Sequence, residues 1–93
     1  MVIRRRMTIT HQDFFRLLPR ALGSRDYQRQ GNSVSFRQPG FLMEINLSPE
    51  RRWRIAGLEL PATDVEIVLS DCGAEQAQTL LKQFDLAFHR GGG

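Results

Sequence analysis

The chain is poor in cysteine and lysine, and it has no long apolar run. Cys72 is its single cysteine, so neither an intramolecular disulfide nor a CxxC redox or zinc motif can form. No window approaches the roughly 18 consecutive apolar residues that a membrane-spanning helix needs. Walker A, GxSxG and GxGxxG motifs are also absent from the sequence. We therefore expect a cytoplasmic protein with no membrane contact, cofactor, metal ion or enzymatic activity.

The length of the chain limits it to one core. A chain of 93 residues buries roughly 65% of its surface on folding, which is enough for one modest core and too little for two. We expect a single domain over residues 1–93. Within it, residues 1–9 form either a flexible basic arm or a short strand, and residues 91–93 form a frayed glycine tail.

Positive charge is concentrated in the first half of the chain. Residues 1–54 contain 11 basic and four acidic residues, a net charge of +7, whereas residues 55–93 contain two and six, a net charge of −4. The 13 basic residues comprise 12 arginines and Lys82 alone. Such an asymmetry is a reason to consider acidic partners.

Residues 11–22 have the spacing of an amphipathic helix. Thr10 suits the N-cap, and Asp13 lies three residues further on, in the first turn. Pro19 lacks an N–H group and biases Leu18 away from helical backbone angles. We therefore predict a helix that ends or kinks near Leu18.

A β-hairpin is predicted around Gly31-Asn32. A two-residue loop with glycine first is typical of a type II′ turn between two antiparallel strands. The resulting register pairs Gln30 with Ser33 and places Tyr27 opposite Phe36 on one face.

Two further strands are predicted over residues 41–48 and 52–60, with a turn at residues 49–51. Both segments carry apolar residues at alternate positions. The register that keeps these side chains on one face pairs Leu47 with Trp53. We accordingly expect Trp53 to lie on the core side of the sheet.

The end of the chain is predicted to form a last strand and a helix. Residues 61–64 have turn composition, residues 65–70 alternate as a strand, and residues 73–89 have helical periodicity with Asp71 as the cap. The fold class is therefore α+β: a two-layer sandwich of an antiparallel meander of about five strands with an N-terminal and a C-terminal helix on one face. The predicted core includes Leu17, Phe36, Met43, Ile45, Ile55, Ile67, Leu69, Leu81 and Phe84.

Two arginine clusters support nucleic-acid binding as an alternative function. The candidate contacts are Arg4, Arg5, Arg6, Arg51, Arg52 and Arg54. Trp53 adds an aromatic ring on which a base could stack, but alternation along a strand directs it away from Arg52 and Arg54. We expect any binding of nucleic acid to be weak and unspecific, because only phosphate contacts are visible.

Cys72 is the candidate reactive thiol. The last helix begins beside it, and the amide dipoles at a helix N-terminus favour a thiolate. The neighbouring Asp71 opposes a thiolate, and a lone cysteine is most often a small buried apolar residue, which we expect here. His11 and His89 lie at opposite ends of the chain without the local spacing of a zinc site, so no metal site is predicted.

These observations favour a non-enzymatic interaction or ligand-binding module that acts through a face or an edge of its sheet. No catalytic set of residues is visible, and an open antiparallel sheet has edges that can bind another chain. The expected partner is another protein or a second copy of the chain. The alternative is a nucleic-acid-associated protein that uses the basic N-terminus and the cluster at residues 51–54.

Overall fold

The computed structural model describes residues 1–90 and shows two helices covering one face of an antiparallel sheet. In chain order the elements are β1 (Val2–Met7), α1 (His11–Leu22), β2 (Gln28–Gln30), β3 (Ser33–Gln38), β4 (Phe41–Leu47), β5 (Arg51–Ile55), β6 (Leu58–Ser70) and α2 (Ala74–Arg90). This arrangement confirms the predicted α+β fold class. The glycine tail predicted at residues 91–93 lies outside the described residues.

The strands are ordered β1–β6–β4–β3–β2, and β5 pairs with part of β6 outside this path. All neighbouring strands are antiparallel. Residues 2–7 form the edge strand β1, which pairs with residues 63–68 of β6. The N-terminal arginines therefore belong to the sheet.

Helix α1 begins at the predicted N-cap, where the Oγ1 of Thr10 accepts the N–H of Asp13 at 3.1 Å. The helix continues through Pro19 to Leu22 and does not end near Leu18. Leu18 is completely buried. Its packing holds the last turn in place although the proline cannot donate a backbone hydrogen bond.

The hairpin of β2 and β3 has the predicted register. Gly31 takes a φ of 61°, as the first central position of a type II′ turn requires. The strand β2 begins at Gln28, so the ladder stops before the predicted pair of Tyr27 and Phe36. The observed pairs are Gln28 with Ser35, Arg29 with Val34 and Gln30 with Ser33.

The second half of the sheet differs from the prediction. Residues 58–70 form one strand, so the turn predicted at residues 61–64 is wrong. Strands β4 and β5 lie end to end along β6, and the predicted pair of Leu47 and Trp53 is also wrong. The chain turns back between β5 and β6 at Ala56-Gly57, where φ is 49° and 83°. Positive φ at both central residues is characteristic of a type I′ hairpin.

The core lies between the sheet and the helices. The predicted core residues Leu17, Phe36, Met43, Ile45, Ile67, Leu69 and Phe84 are buried. Leu81 is partly buried against this cluster. Ile55 is 44% exposed, so its predicted place in the core is wrong. The reason is that β5 pairs only with a stretch of β6 that no other strand flanks.

Helix α2 packs along α1. The ring centroids of Phe14 and Phe88 are 4.9 Å apart with an interplanar angle of 16°, so the two helices are joined by a stacked aromatic pair. The N–H of Ala77 donates to the carbonyl of Gly73 at 2.9 Å. Gly73, and not the predicted Asp71, therefore occupies the N-cap position of α2.

Candidate functional site

A two-stranded hairpin extends beyond the end of the sheet. It consists of β5 and residues 58–62 of β6, and we call it the projecting hairpin. Along β6, the pairing with β1 and β4 is confined to residues 63–70. Residues 51–59 are all exposed, and the molecule is elongated, with principal extents of 46 × 26 × 20 Å.

A one-residue bulge where β4 meets β5 determines which way the side chains of the projecting hairpin point. Between the pairs Leu47–Val65 and Arg51–Ala62, three residues on the first strand face two on β6. An extra residue reverses the alternation of side chains along a strand. The odd-numbered residues of β4 face the core, whereas those of β5 face the outer side of the sheet, away from the helices.

Four apolar side chains share this outer face of the projecting hairpin, and we call them the apolar strip. Trp53 pairs with Leu60, and Ile55 pairs with Leu58; directly paired residues lie on the same face. Trp53, Ile55 and Leu58 are 42%, 44% and 65% exposed. With about 200 Å² for a complete large side chain, they present roughly 300 Å² of surface.

Two arginines and an aspartate lie at the base of the apolar strip. The Nε of Arg6 donates to Asp64 Oδ1 at 3.1 Å, and the Nη2 of Arg51 donates to Asp64 Oδ2. The guanidinium carbon of Arg6 lies 5.7 Å from the ring centroid of Trp53, within the range of a cation–π interaction. Because two cations share one carboxylate, this base carries a net positive charge.

The first residue of α1 anchors the bulge. The backbone N–H of His11 donates to Glu50 Oε1 at 2.6 Å, and its ring Nε2 lies 2.7 Å from the carbonyl oxygen of Ser48. These contacts tie the base of the projecting hairpin to the helical layer. Among residues 1–90, no three His, Cys, Asp or Glu side chains lie close enough together to hold a metal ion.

The free backbone edges of the projecting hairpin are poorly suited to pairing with another strand. The amide of Leu69 donates to the Met1 carbonyl, so odd-numbered residues of β6 direct their backbone groups toward the β1 side. By the same alternation Pro61, which has no N–H, lies on the open edge beyond β1. The opposite edge is β5, where the Arg52 and Arg54 side chains protect the backbone.

The six arginines proposed for nucleic-acid binding do not form one surface. Arg5 forms two hydrogen bonds with Asp85 of α2, at 3.3 and 3.4 Å, while Arg52 and Arg54 lie on the reverse side of the projecting hairpin. The others, Arg4, Arg6 and Arg51, lie on the outer face of the sheet. Of the six, Arg54 alone has no carboxylate partner among the described residues.

Cys72 is free, and its side chain packs against the core in a partly buried position. The reactivity of its thiol stays a prediction.

A second surface feature is a groove of about 810 Å³ between β1 and α2. Its apolar lining comes from Met7, Ile9, Leu81, Leu86 and Phe88, and Leu86 is 48% exposed. His89 also lines the groove. The groove opens beside the helical layer and is separate from the apolar strip, which lies on the other face of the sheet.

Sequence reasoning missed the projecting hairpin, although a local signal was present. Ala56-Gly57 is a two-residue loop, and folding the chain about it pairs Trp53 with Leu60 and Arg54 with Glu59. These are an apolar pair and an opposite-charge pair, which both stabilise a hairpin. The loop lacks the Asn-Gly or Asp-Gly sequence that favours type I′ turns most strongly.

The chain matches no protein-family model, no curated protein and no solved structure. In the part of the chain that the structure describes, neither helix is long and apolar enough to cross a membrane.

Proposed function

We propose that this protein is a non-enzymatic protein-interaction module and that the apolar strip is its docking surface. The observation that carries the proposal is the exposure of Trp53, Ile55 and Leu58 on one face of a hairpin that extends beyond the core. Exposed apolar patches of a few hundred Å² on small proteins often mark interaction sites. A lone two-stranded hairpin is also only marginally stable in water, so a partner that covers it would stabilise it.

The geometry favours docking on the face of the hairpin over docking along an edge. Strand addition needs a row of free N–H and C=O groups, and Pro61 interrupts that row on one side. On the outer edge of β1, the Nη1 of Arg5 donates to the Arg4 carbonyl at 3.3 Å and so occupies one of the acceptors there. The face, in contrast, presents apolar side chains of which 42% to 65% is open to solvent at Trp53, Ile55 and Leu58.

The proposal is tested by affinity capture from native lysate with the wild-type chain and with the double variant Trp53→Ser/Leu58→Ser. We expect the variant to lose the captured proteins, because it removes most of the apolar strip. Leu86→Ser is the control, since it removes an exposed leucine from α2, 48% exposed against 65% for Leu58, and should keep them. Capture that is unaffected by the double variant, or that requires Leu86 equally, would contradict the proposal.

Binding of single-stranded nucleic acid is the second candidate, and one observation favours it. Trp53 is exposed on the same face as Arg6 and Arg51, so a base could stack on the ring while phosphates contact the guanidinium groups. The Asp64 carboxylate pairs with both guanidinium groups and therefore competes with phosphates for them. We expect weak binding of single-stranded RNA that disappears at high salt, and nuclease treatment of the lysate should leave the captured proteins unchanged.

A further inference from the structure

The charges around the apolar strip point to the chemistry of its partner. We propose that the strip binds an acidic amphipathic helical segment of another protein, with apolar side chains on one face and carboxylates on the other. This inference rests on the function proposed above and names the partner class for the same surface.

The base of the apolar strip carries an excess of positive charge. On the face of the strip, Arg6 and Arg51 share the single carboxylate of Asp64. Arg52 and Arg54 lie on the reverse face of the projecting hairpin, and the Glu50 carboxylate accepts the N–H at the start of α1 in the helical layer. One guanidinium charge in excess thus borders an apolar surface, and a carboxylate-bearing partner complements both features.

The length of the apolar strip matches a short segment. Arg51 and Ile55 are four residue steps apart along β5, a length of about 13 Å, which corresponds to about nine residues of α-helix. The cations on the same face, Arg6 and Arg51, lie at one end of the strip. A partner segment of that length can place apolar side chains on the strip and carboxylates at the end that meets these arginines.

The apolar strip offers little area to a second copy of this chain. The exposed side chains of the strip present roughly 300 Å² per copy, so two strips packed face to face would bury about 600 Å². A specific interface buries at least about 1,200 Å² in total. The chain also carries a net charge of +3, which opposes self-association. The strip by itself is therefore too small for a stable homodimer. An acidic peptide segment that covers it gains the charge complementarity that a second copy of this basic chain lacks.

The test uses three synthetic peptides of about 14 residues, which as helices would span roughly 21 Å. Each has leucines on one helical face, and the other face carries glutamate, glutamine or lysine. Trp53 is the only tryptophan of the chain, so a blue shift of its emission reports on occupation of the strip. We expect the glutamate peptide to bind at least about tenfold more tightly than the glutamine peptide, with the difference lost at about 1 M salt.

The matched variants are Arg6→Gln/Arg51→Gln and Arg20→Gln/Arg37→Gln. Both remove two exposed arginine charges, but only the first pair lies beside the apolar strip. We expect the first double variant to weaken binding of the glutamate peptide about tenfold and to leave the glutamine peptide unchanged. The second double variant should bind both peptides as the wild-type chain does.

The outcomes separate this inference from the proposed function. Equal binding of the glutamate and glutamine peptides overturns the inference of an acidic partner and supports a docking surface that recognises apolar side chains alone. If none of the three peptides binds but lysate capture depends on Trp53 and Leu58, the peptide inference alone is overturned. A dimer in sedimentation velocity that Leu58→Ser abolishes, or tighter binding of single-stranded RNA than of the glutamate peptide, overturns it in favour of a second copy or a nucleic acid.

Discussion

Ser48 and Asp64 form two hydrogen bonds of 2.9 Å across the bulge. The backbone N–H of Ser48 donates to the Asp64 carbonyl, and the backbone N–H of Asp64 donates to the Ser48 Oγ. The side chain thus replaces the backbone acceptor that a regular antiparallel pair would supply. This contact connects the sheet to the projecting hairpin.

Ser48→Ala should destabilise the protein by about 1 kcal/mol, because the partly buried N–H of Asp64 loses its acceptor. The measurement is the free energy of unfolding from urea denaturation. Ser35→Ala is the control, since Ser35 is exposed on the neighbouring strand β3 and its change should stay within about 0.5 kcal/mol. Equal effects of the two substitutions would mean that the side-chain bond contributes nothing to the stability of the bulge.

Isoleucine-to-valine substitutions at one buried and one exposed position test whether the odd-numbered side chains of β5 point away from the core. Ile45→Val should cost about 0.5 to 1.5 kcal/mol, because Ile45 is completely buried and the change leaves a small cavity. Ile55→Val should cost less than about 0.5 kcal/mol, because Ile55 is on the exposed apolar strip. Urea unfolding of both variants measures the difference. A larger loss at Ile55 than at Ile45 would place β5 over the core and contradict the observed register.

Thr63→Val should destabilise the protein by about 1 to 3 kcal/mol. Thr63 is completely buried and its Oγ1 donates to the carbonyl of Ile9 at 2.9 Å; valine has the same shape but leaves that carbonyl without a donor. Thr79→Val is the matched control, because the Thr79 hydroxyl bonds to the Glu75 carbonyl on the exposed side of α2. Thermal unfolding should show a much smaller shift for the control, and similar shifts would argue against the buried hydrogen bond.

Cys72 should react slowly with iodoacetamide in the native protein and rapidly after unfolding, because its side chain packs partly buried against the core. Cys72→Ser should cost about 1 to 3 kcal/mol, since a hydroxyl replaces the thiol there without a guaranteed partner. Partner binding should be unchanged in this variant. Rapid native labelling combined with loss of binding would instead identify Cys72 as a functional thiol.

Local patterns predicted several parts of the fold correctly. The Thr10 cap, the register at Gly31-Asn32 and the helical stripe that includes Phe84 each depend on residues that are near one another in sequence. The relation of Arg5 to Asp85 was not predictable in this way, because 80 positions separate the two residues.

The sequence pattern predicted the wrong face for Trp53 and Ile55, because apolar residues stand at odd-numbered positions in β5 as they do in β4. Ile45, Leu47, Trp53 and Ile55 all have odd numbers, so the pattern indicated one common face. A bulge changes the parity without changing the composition of either strand. The residues between the strands, around Pro49, are compatible with a turn as well as with a bulge.

The sequence by itself determined the fold class, the positions of both helices and most of the core, because burial of periodic apolar residues and local capping act over short stretches of chain. The tertiary structure decided that β4 and β5 continue along one side of β6, because that choice depends on where β6 finds its partners across the sheet. It thereby decided that Trp53 and Ile55 face solvent. Sequence and structure differ on this face because the bulge spanned by the Ser48–Asp64 hydrogen bonds adds one residue between β4 and β5. That residue moves the side chains of the whole of β5 to the opposite face.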